Sequence, residues 1–144
     1  MKYWDSSAVV PLLAEDAATD RVQAVYGEDS TMIVWWGTPV ECMSALARLE
    51  REERLDTVSI TKAARRLKQM QRLWQEVQPL ETLRDIAMRL LRVHPLHAAD
   101  SLQLAAAIVA SEHRPSTMEF VCLDARLALA AQREGFNVIG IGER

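Results

Sequence analysis

Four acidic side chains fall where a strand-and-helix chain can put them to chemical use. Asp5 ends the short strand candidate Met1 to Trp4. Glu41 lies in the first turn of a helix opened by Thr38-Pro39. Asp124 closes the strand Glu119 to Leu123. Asp100 sits near the start of the segment Leu96 to Ala110, which reads as a helix that is apolar on nearly every side. Such a helix must be covered on nearly every side, so it is central. A carboxylate on it costs several kcal/mol unless paired, metal-bound or wetted. In an open parallel sheet, ligands bind outside the carboxyl ends of the strands. Asp5, Glu41 and Asp124 then share one edge, and Asp100 joins them if its helix starts there.

Acids near helix starts are also favoured by capping and by the helix dipole. Mutual repulsion separates the two readings. Carboxylates within a few ångströms raise each other's pKa and oppose folding unless a cation joins them. Hard oxygen donors without clustered His or Cys favour Mg²⁺ or Mn²⁺ over zinc. Such a site holds metal on the phosphate of a nucleic acid or nucleotide.

The elements that position these acids follow from periodicity. Ser6-Ser7 offer capping hydroxyls for a first helix through Leu13, short or kinked at Pro11. A second helix opens at Glu15-Asp16 and ends at Gly27. Thr31 to Trp36 is a strand, and Thr38 caps the helix after it. A long helix runs from Thr61 to about Gln75, with Ala64, Leu67 and Met70 at helical spacing. A very short strand is expected near Glu76 to Leu80, then a helix over Thr82 to Val93. Arg126 to Glu134 is a helix ended by Gly135, and Asn137 to Ile141 is the last strand. Strands separated by helices argue for one α/β domain over residues 1–144 with a mainly parallel sheet.

The totals bound the function. A chain of 144 residues, 49% apolar and 26% charged, is an ordinary globular composition. Its formal net charge of −3 argues against non-specific electrostatic binding to nucleic acid. It does not exclude a nucleic-acid enzyme whose acidic pocket is inverted in sign by bound metal. Cys42 and Cys122 are far apart in apolar surroundings and read as reduced core thiols of a cytoplasmic protein. The amino terminus lacks a signal-peptide pattern, and no apolar run approaches the ~18 residues of a membrane span.

Other polar residues carry weaker signals. His94 and His97 flank Pro95 and read as helix-end residues, and His113 as a cation at a helix C-terminus. Strand alternation makes one of Trp35 and Trp36 a core residue and the other a surface residue, which can stack on a base. Trp4 and Trp74 read as core or interface residues. Arg65, Arg66, Lys68 and Arg72 form a solvated face able to track a phosphate backbone.

Four segments, in order, resemble the PIN-domain ribonucleases. They are Tyr3-Trp4-Asp5-Ser6-Ser7-Ala8-Val9-Val10, Thr38-Pro39-Val40-Glu41, Ala98-Ala99-Asp100-Ser101-Leu102-Gln103-Leu104, and Phe120-Val121-Cys122-Leu123-Asp124-Ala125-Arg126-Leu127-Ala128 with Glu134-Gly135-Phe136. More narrowly they are similar to the VapC toxins of type II toxin–antitoxin modules, over essentially the whole chain. Each motif alone is weak, but the four together are specific.

The resemblance implies a PIN-like three-layer fold, with a four- or five-stranded sheet flanked by helices. It implies a Mg²⁺- or Mn²⁺-dependent endoribonuclease acting on RNA. Asp5 and Asp100 would be the main metal ligands, with Glu41 and Asp124 completing the catalytic set. A hydroxyl contact to substrate or acid falls on Ser6 or Ser7. Cys122 stands where many relatives have Thr or Ser. Gln103, where many have His, carries no chemistry in this reading. The resemblance further implies homodimerisation and a VapB-like antitoxin lying in a groove between helices, whose apolar surface would draw on Leu12, Leu13, Val22, Met70 or Trp74.

Rival readings are a PIN nuclease of RNA processing outside a toxin–antitoxin pair and a non-catalytic PIN binding module. A receiver domain would need an acidic pair and a late lysine. A haloacid-dehalogenase-type phosphatase would need an Asp where Ser7 stands.

Overall fold

The computed structural model describes residues 1–140. Five strands, β1 (Lys2–Trp4), β2 (Met32–Trp35), β3 (Gln75–Val77), β4 (Glu119–Cys122) and β5 (Asn137–Gly140), form one sheet among the described residues. The order is β3-β2-β1-β4-β5 and every pairing is parallel. The connections are helical: α1 (Ser6–Leu13), α2 (Thr19–Glu28), α3 (Thr38–Arg51), α4 (Thr57–Gln71), α5 (Glu81–Val93), α6 (Ala98–Ala110) and α7 (Ala125–Arg133). This is the expected three-layer, PIN-like architecture. No helix among the described residues is long and apolar enough to cross a membrane.

Both faces of a parallel sheet are covered, so its strands are apolar throughout rather than alternating. Strand alternation then divides the side chains between two layers. Tyr3, Ile33, Trp35 and Phe120 pack with Leu83, Leu90, Leu104 and Leu127 of α5, α6 and α7. Trp4, Val34 and Val121 pack on the other face with Val9, Leu12, Val22, Leu67 and Met70 of α1, α2 and α4. β1 is central, with Tyr3 in register with both Ile33 and Phe120. The small side chains Ala105, Ala106 and Ala107 are fully buried, which makes α6 the covered central helix that its composition required.

Several boundaries differ from expectation because side-chain caps set them. Asp5, not a serine, caps α1, its carboxylate accepting from the Ser7 backbone N–H. α1 is short, with Pro11 inside it. α2 begins at Thr19, after a turn in which Asp16 accepts from the Ala18 N–H and the Thr19 hydroxyl accepts from the Asp16 N–H. Gly27 lies within α2 and does not end it. α4 starts earlier than Thr61, because Asp56 caps it through the Ser59 N–H. Its buried stripe is Ala63, Leu67 and Met70, not Ala64. Thr38 is helical and its hydroxyl makes no cap; Gly37 holds the cap position. The expected strand residue Ile141 lies outside the described residues.

Candidate active site

An all-parallel sheet brings every strand's carboxyl end to one edge. Asp5 leaves β1 there, Asp124 follows β4, and Gly37 turns the chain from β2 into α3, placing Glu41 in its first turn. Asp100 occupies the first turn of α6. The four predicted acids are within electrostatic reach of one another: Asp100 and Asp124 both act on Asp5, and Asp5 and Asp100 both act on Glu41.

Three of these acids tie one oxygen to the scaffold. Asp5 Oδ2 accepts from the Ser7 N–H at 3.1 Å and from the Ser7 hydroxyl at 2.5 Å. Glu41 Oε1 accepts from the Ser6 hydroxyl at 2.9 Å and from the Gln103 amide at 3.2 Å. Asp124 Oδ1 accepts from the Leu127 N–H at 3.0 Å, capping α7. The second oxygen of each, Asp5 Oδ1, Glu41 Oε2 and Asp124 Oδ2, has no hydrogen bond among the described residues. Ser6 and Ser7 thus divide the work between two different acids, and Ser7 also accepts from the Leu123 N–H at 2.9 Å, stitching α1 to the end of β4.

The electrostatics are those of crowded, unpaired carboxylates. Burial pushes Asp5 up to about 6, against the hydrogen bonds from Ser7, and Asp100 and Asp124 push in the same direction. Burial likewise pushes Glu41 up to about 7, opposed by Ser6 and Gln103 and reinforced by Asp5 and Asp100. Asp100 is raised by burial and by Asp124, with the His97 backbone and Arg126 acting against. No lysine or arginine forms an ion pair with any of the four among the described residues.

The four acids meet a divalent cation's needs in chemistry more than in spacing. The chemistry fits: hard oxygens, excess negative charge and uncommitted carboxylate atoms suit Mg²⁺ or Mn²⁺. The spacing is looser, since among the described residues no three His, Cys, Asp or Glu side chains close on a common point. Asp100 and Asp124 share an open cavity of about 420 Å³ with His97, Ala125 and Arg126, and Asp5 lies buried behind them.

Gln103, expected to carry no chemistry, has a structural part beneath the acids. It is fully buried. Its carbonyl accepts from the Tyr3 hydroxyl at 2.6 Å, and its amide donates to Thr38 Oγ1 at 3.0 Å and to Glu41. A buried polar group needs partners, and an amide in the Ala- and Leu-rich α6, three residues after Asp100, was the sequence signal for this network. Cys122 takes the place of a hydroxyl: its thiol sits 3.8 Å from Asp5 Oδ2 and 3.4 Å from the Asp124 carbonyl, and burial first, then Asp5, pushes its pKa up.

The remaining candidates sort cleanly. Trp35 is buried and Trp36 is 52% exposed. Trp4 and Trp74 are core. His94 ends α5 and His97 caps the start of α6. Arg65, Arg66, Lys68 and Arg72 are exposed. Leu12, Val22, Met70 and Trp74 are buried in the core and Leu13 is half-buried; Leu12 and Met70 also line a cavity of about 180 Å³ with Tyr26 and Leu73. Val40 and Met43 are exposed apolar side chains on a cleft of about 560 Å³ between α3 and α4, and Val58 and Leu73 are exposed near the two ends of α4.

No protein-family model matches the chain, and no curated protein matches it in sequence. Among solved structures it is similar to PAE2754 from Pyrobaculum aerophilum, with 20% identity over 96% of this chain and 90% of that one and a TM-score of 0.65. At that identity the likeness is one of fold alone.

Proposed function

We propose that this chain is a metal-dependent endoribonuclease of the PIN type, acting as the toxin of a VapBC-type pair. The observation that carries the reading is the electrostatic coupling of Asp5, Glu41, Asp100 and Asp124, from four separate elements, with no basic side chain ion-paired to them among the described residues. A purely structural carboxylate cluster is costly, and evolution has little reason to keep it unless a ligand offsets the repulsion.

Asp5 and Asp100 would hold Mg²⁺ or Mn²⁺, with Glu41 and Asp124 completing the set. Bound there, a divalent cation lowers the pKa of water and neutralises charge on phosphoryl oxygens. The chain's own residues do the rest. Ser7 fixes the Asp5 carboxylate in one rotamer, and Asp124 is fixed by capping α7. Ser6 and Gln103 hold Glu41 by one oxygen, leaving Oε2 to accept a proton from water near neutral pH. The oxygen of that water bonds to phosphorus as the phosphorus–O3′ bond of RNA breaks, and the departing O3′ takes up a proton from solvent, leaving 3′-hydroxyl and 5′-phosphate ends.

The cleft between α3 and α4, lined by Pro39, Val40, Met43, Ala47 and Leu67, is the groove we assign to a VapB-like antitoxin segment, since it runs from the turn that carries Glu41. The reading also includes a homodimer. The deciding experiment incubates end-labelled RNA with the protein in Mg²⁺ or Mn²⁺, beside Asp100→Asn and a calorimetric Mn²⁺ titration. Metal-dependent cuts that disappear in Asp100→Asn support the assignment. Full-rate cleavage by Asp100→Asn refutes it, and absence of Mn²⁺ binding favours a non-catalytic module.

A further inference from the structure

The cavity shared by Asp100 and Asp124 has a second kind of wall. Its other side chains are His97 at the start of α6 and Ala125 and Arg126 at the start of α7. Arg126 is exposed and forms no ion pair with either acid among the described residues. Its Nη1 instead lies 3.4 Å from His97 Nε2. A guanidinium can only donate, so in this contact the imidazole nitrogen is the accepting side. The imidazole thereby steers one edge of the guanidinium and leaves the remaining donors of its fork uncommitted.

An RNA phosphate entering an acidic cleft meets repulsion. A cation on the wall of the same cavity, which acts on Asp100 through space but makes no direct ion pair with either acid among the described residues, gives that phosphate a place to sit. The planar fork of arginine matches two phosphate oxygens, where a lysine offers only a point charge. We propose that Arg126 binds a non-bridging oxygen of the RNA phosphodiester at the Asp100–Asp124 end of the cleft, and that His97 is the residue that positions it. The proposal rests on the nuclease reading and names how that site takes hold of its substrate. The competing role for Arg126 is to offset the acids without touching RNA.

The test uses the full chain and a fluorescein-labelled single-stranded RNA. Binding is followed by anisotropy in EDTA, where no cutting occurs, and cleavage by steady-state kinetics in Mg²⁺. Arg126→Ala is expected to weaken binding and raise KM by roughly 10- to 30-fold, with kcat within about threefold. The slope of log affinity against log salt should fall by about one. Arg126→Lys should recover part of the loss, and His97→Ala should lose about threefold through the arginine. Unchanged melting temperatures separate these effects from misfolding; Arg126→Gln serves if the alanine variant is unstable.

If the parent protein cuts RNA and Arg126→Ala binds it with the same affinity and salt slope, the clamp is wrong and the nuclease reading survives. If the parent binds RNA without cutting it, and Arg126→Ala loses affinity, the clamp stands and the nuclease reading falls. Failure of the parent to bind RNA removes both.

Discussion

Replacing Gln103 by leucine probes the buried network beneath the acids. The change nearly conserves volume and removes the amide. Tyr3 and Thr38, both fully buried, would each lose their Gln103 partner, and Glu41 would lose one of its two side-chain donors. An orphaned buried hydroxyl costs about 1–3 kcal/mol, so the variant should lose roughly 2–4 kcal/mol overall. At roughly 3 °C per kcal/mol for a domain of this size, the melting temperature falls by roughly 6–12 °C. Urea unfolding followed by tryptophan fluorescence measures the loss directly. Adding Tyr3→Phe removes the orphaned hydroxyl, and the double variant should recover about 1 kcal/mol relative to the single one. Glu41, stripped of a donor to its charged form, moves further above its value of about 7, so the pH at which Mn²⁺ begins to bind moves upward. A Gln103→Leu protein within about 0.5 kcal/mol of the parent would refute the network as a stabilising element.

Other outcomes follow from the same geometry. Asp100→Asn should abolish cleavage, by about 100-fold or more, while raising the metal-free melting temperature, since it removes a repelling charge; end-labelled RNA and thermal melts check the two halves. Asp5 and Glu41 hold protons more tightly folded than unfolded, so their contribution to stability is complete below their ordinary values of 3.8 and 4.5 and is lost as pH rises through about 6 and 7. For Asp5 alone that loss is on the order of 3 kcal/mol. Metal-free melting temperature should therefore decline across that window and Mn²⁺ should reverse the decline; a rise with pH in EDTA contradicts it. Glu134 behaves oppositely: burial raises it, but hydrogen bonds from His94 at 2.6 Å and Arg89 at 3.2 Å outweigh this and hold it below the ordinary 4.5. Its contribution is present above that value and disappears in acid, so His94→Ala should cost about 1–3 kcal/mol at neutral pH and less at low pH in chemical unfolding. Gly37→Ala would put its methyl carbon 2.5 Å from Trp35 Nε1, costing about 1–3 kcal/mol and disturbing the turn into α3; tryptophan fluorescence reports both.

The strands and the acids at their carboxyl ends were legible because both signals are local. An apolar run ending at Asp5 or Asp124 needs nothing distant to be recognised. The partners of those acids were not legible. Gln103 meets Glu41 and Thr38 only through a tertiary contact of α6 with the first turn of α3, and no periodicity connects segments so far apart in sequence. The division between Ser6 and Ser7 depends on one helical residue of rotation, which Asp5 decides by capping α1 itself. The His94–Glu134 contact joins the ends of two helices for the same reason: His94 is buried there and finds its partner in the half-buried Glu134, 40 residues away. Helix starts were misplaced where an aspartate cap, as at Asp56, lay outside the apolar stripe used to find the helix.

The central position of β1 has a kinetic consequence. Tyr3 and Trp4 pair with Phe120 and Val121, so the strand that carries Asp5 cannot be enclosed until a segment from the far end of the described chain returns to it. Such long-range parallel pairing is slow to form, because loop closure must precede the contacts that reward it. Ser7 bridges the same two segments, linking Asp5 to Leu123. Pairing of β4 with β1 therefore also brings Asp124 towards Asp5, and a partly synthesised chain lacking β4 carries an Asp5 held by Ser7 but no Asp124 beside it.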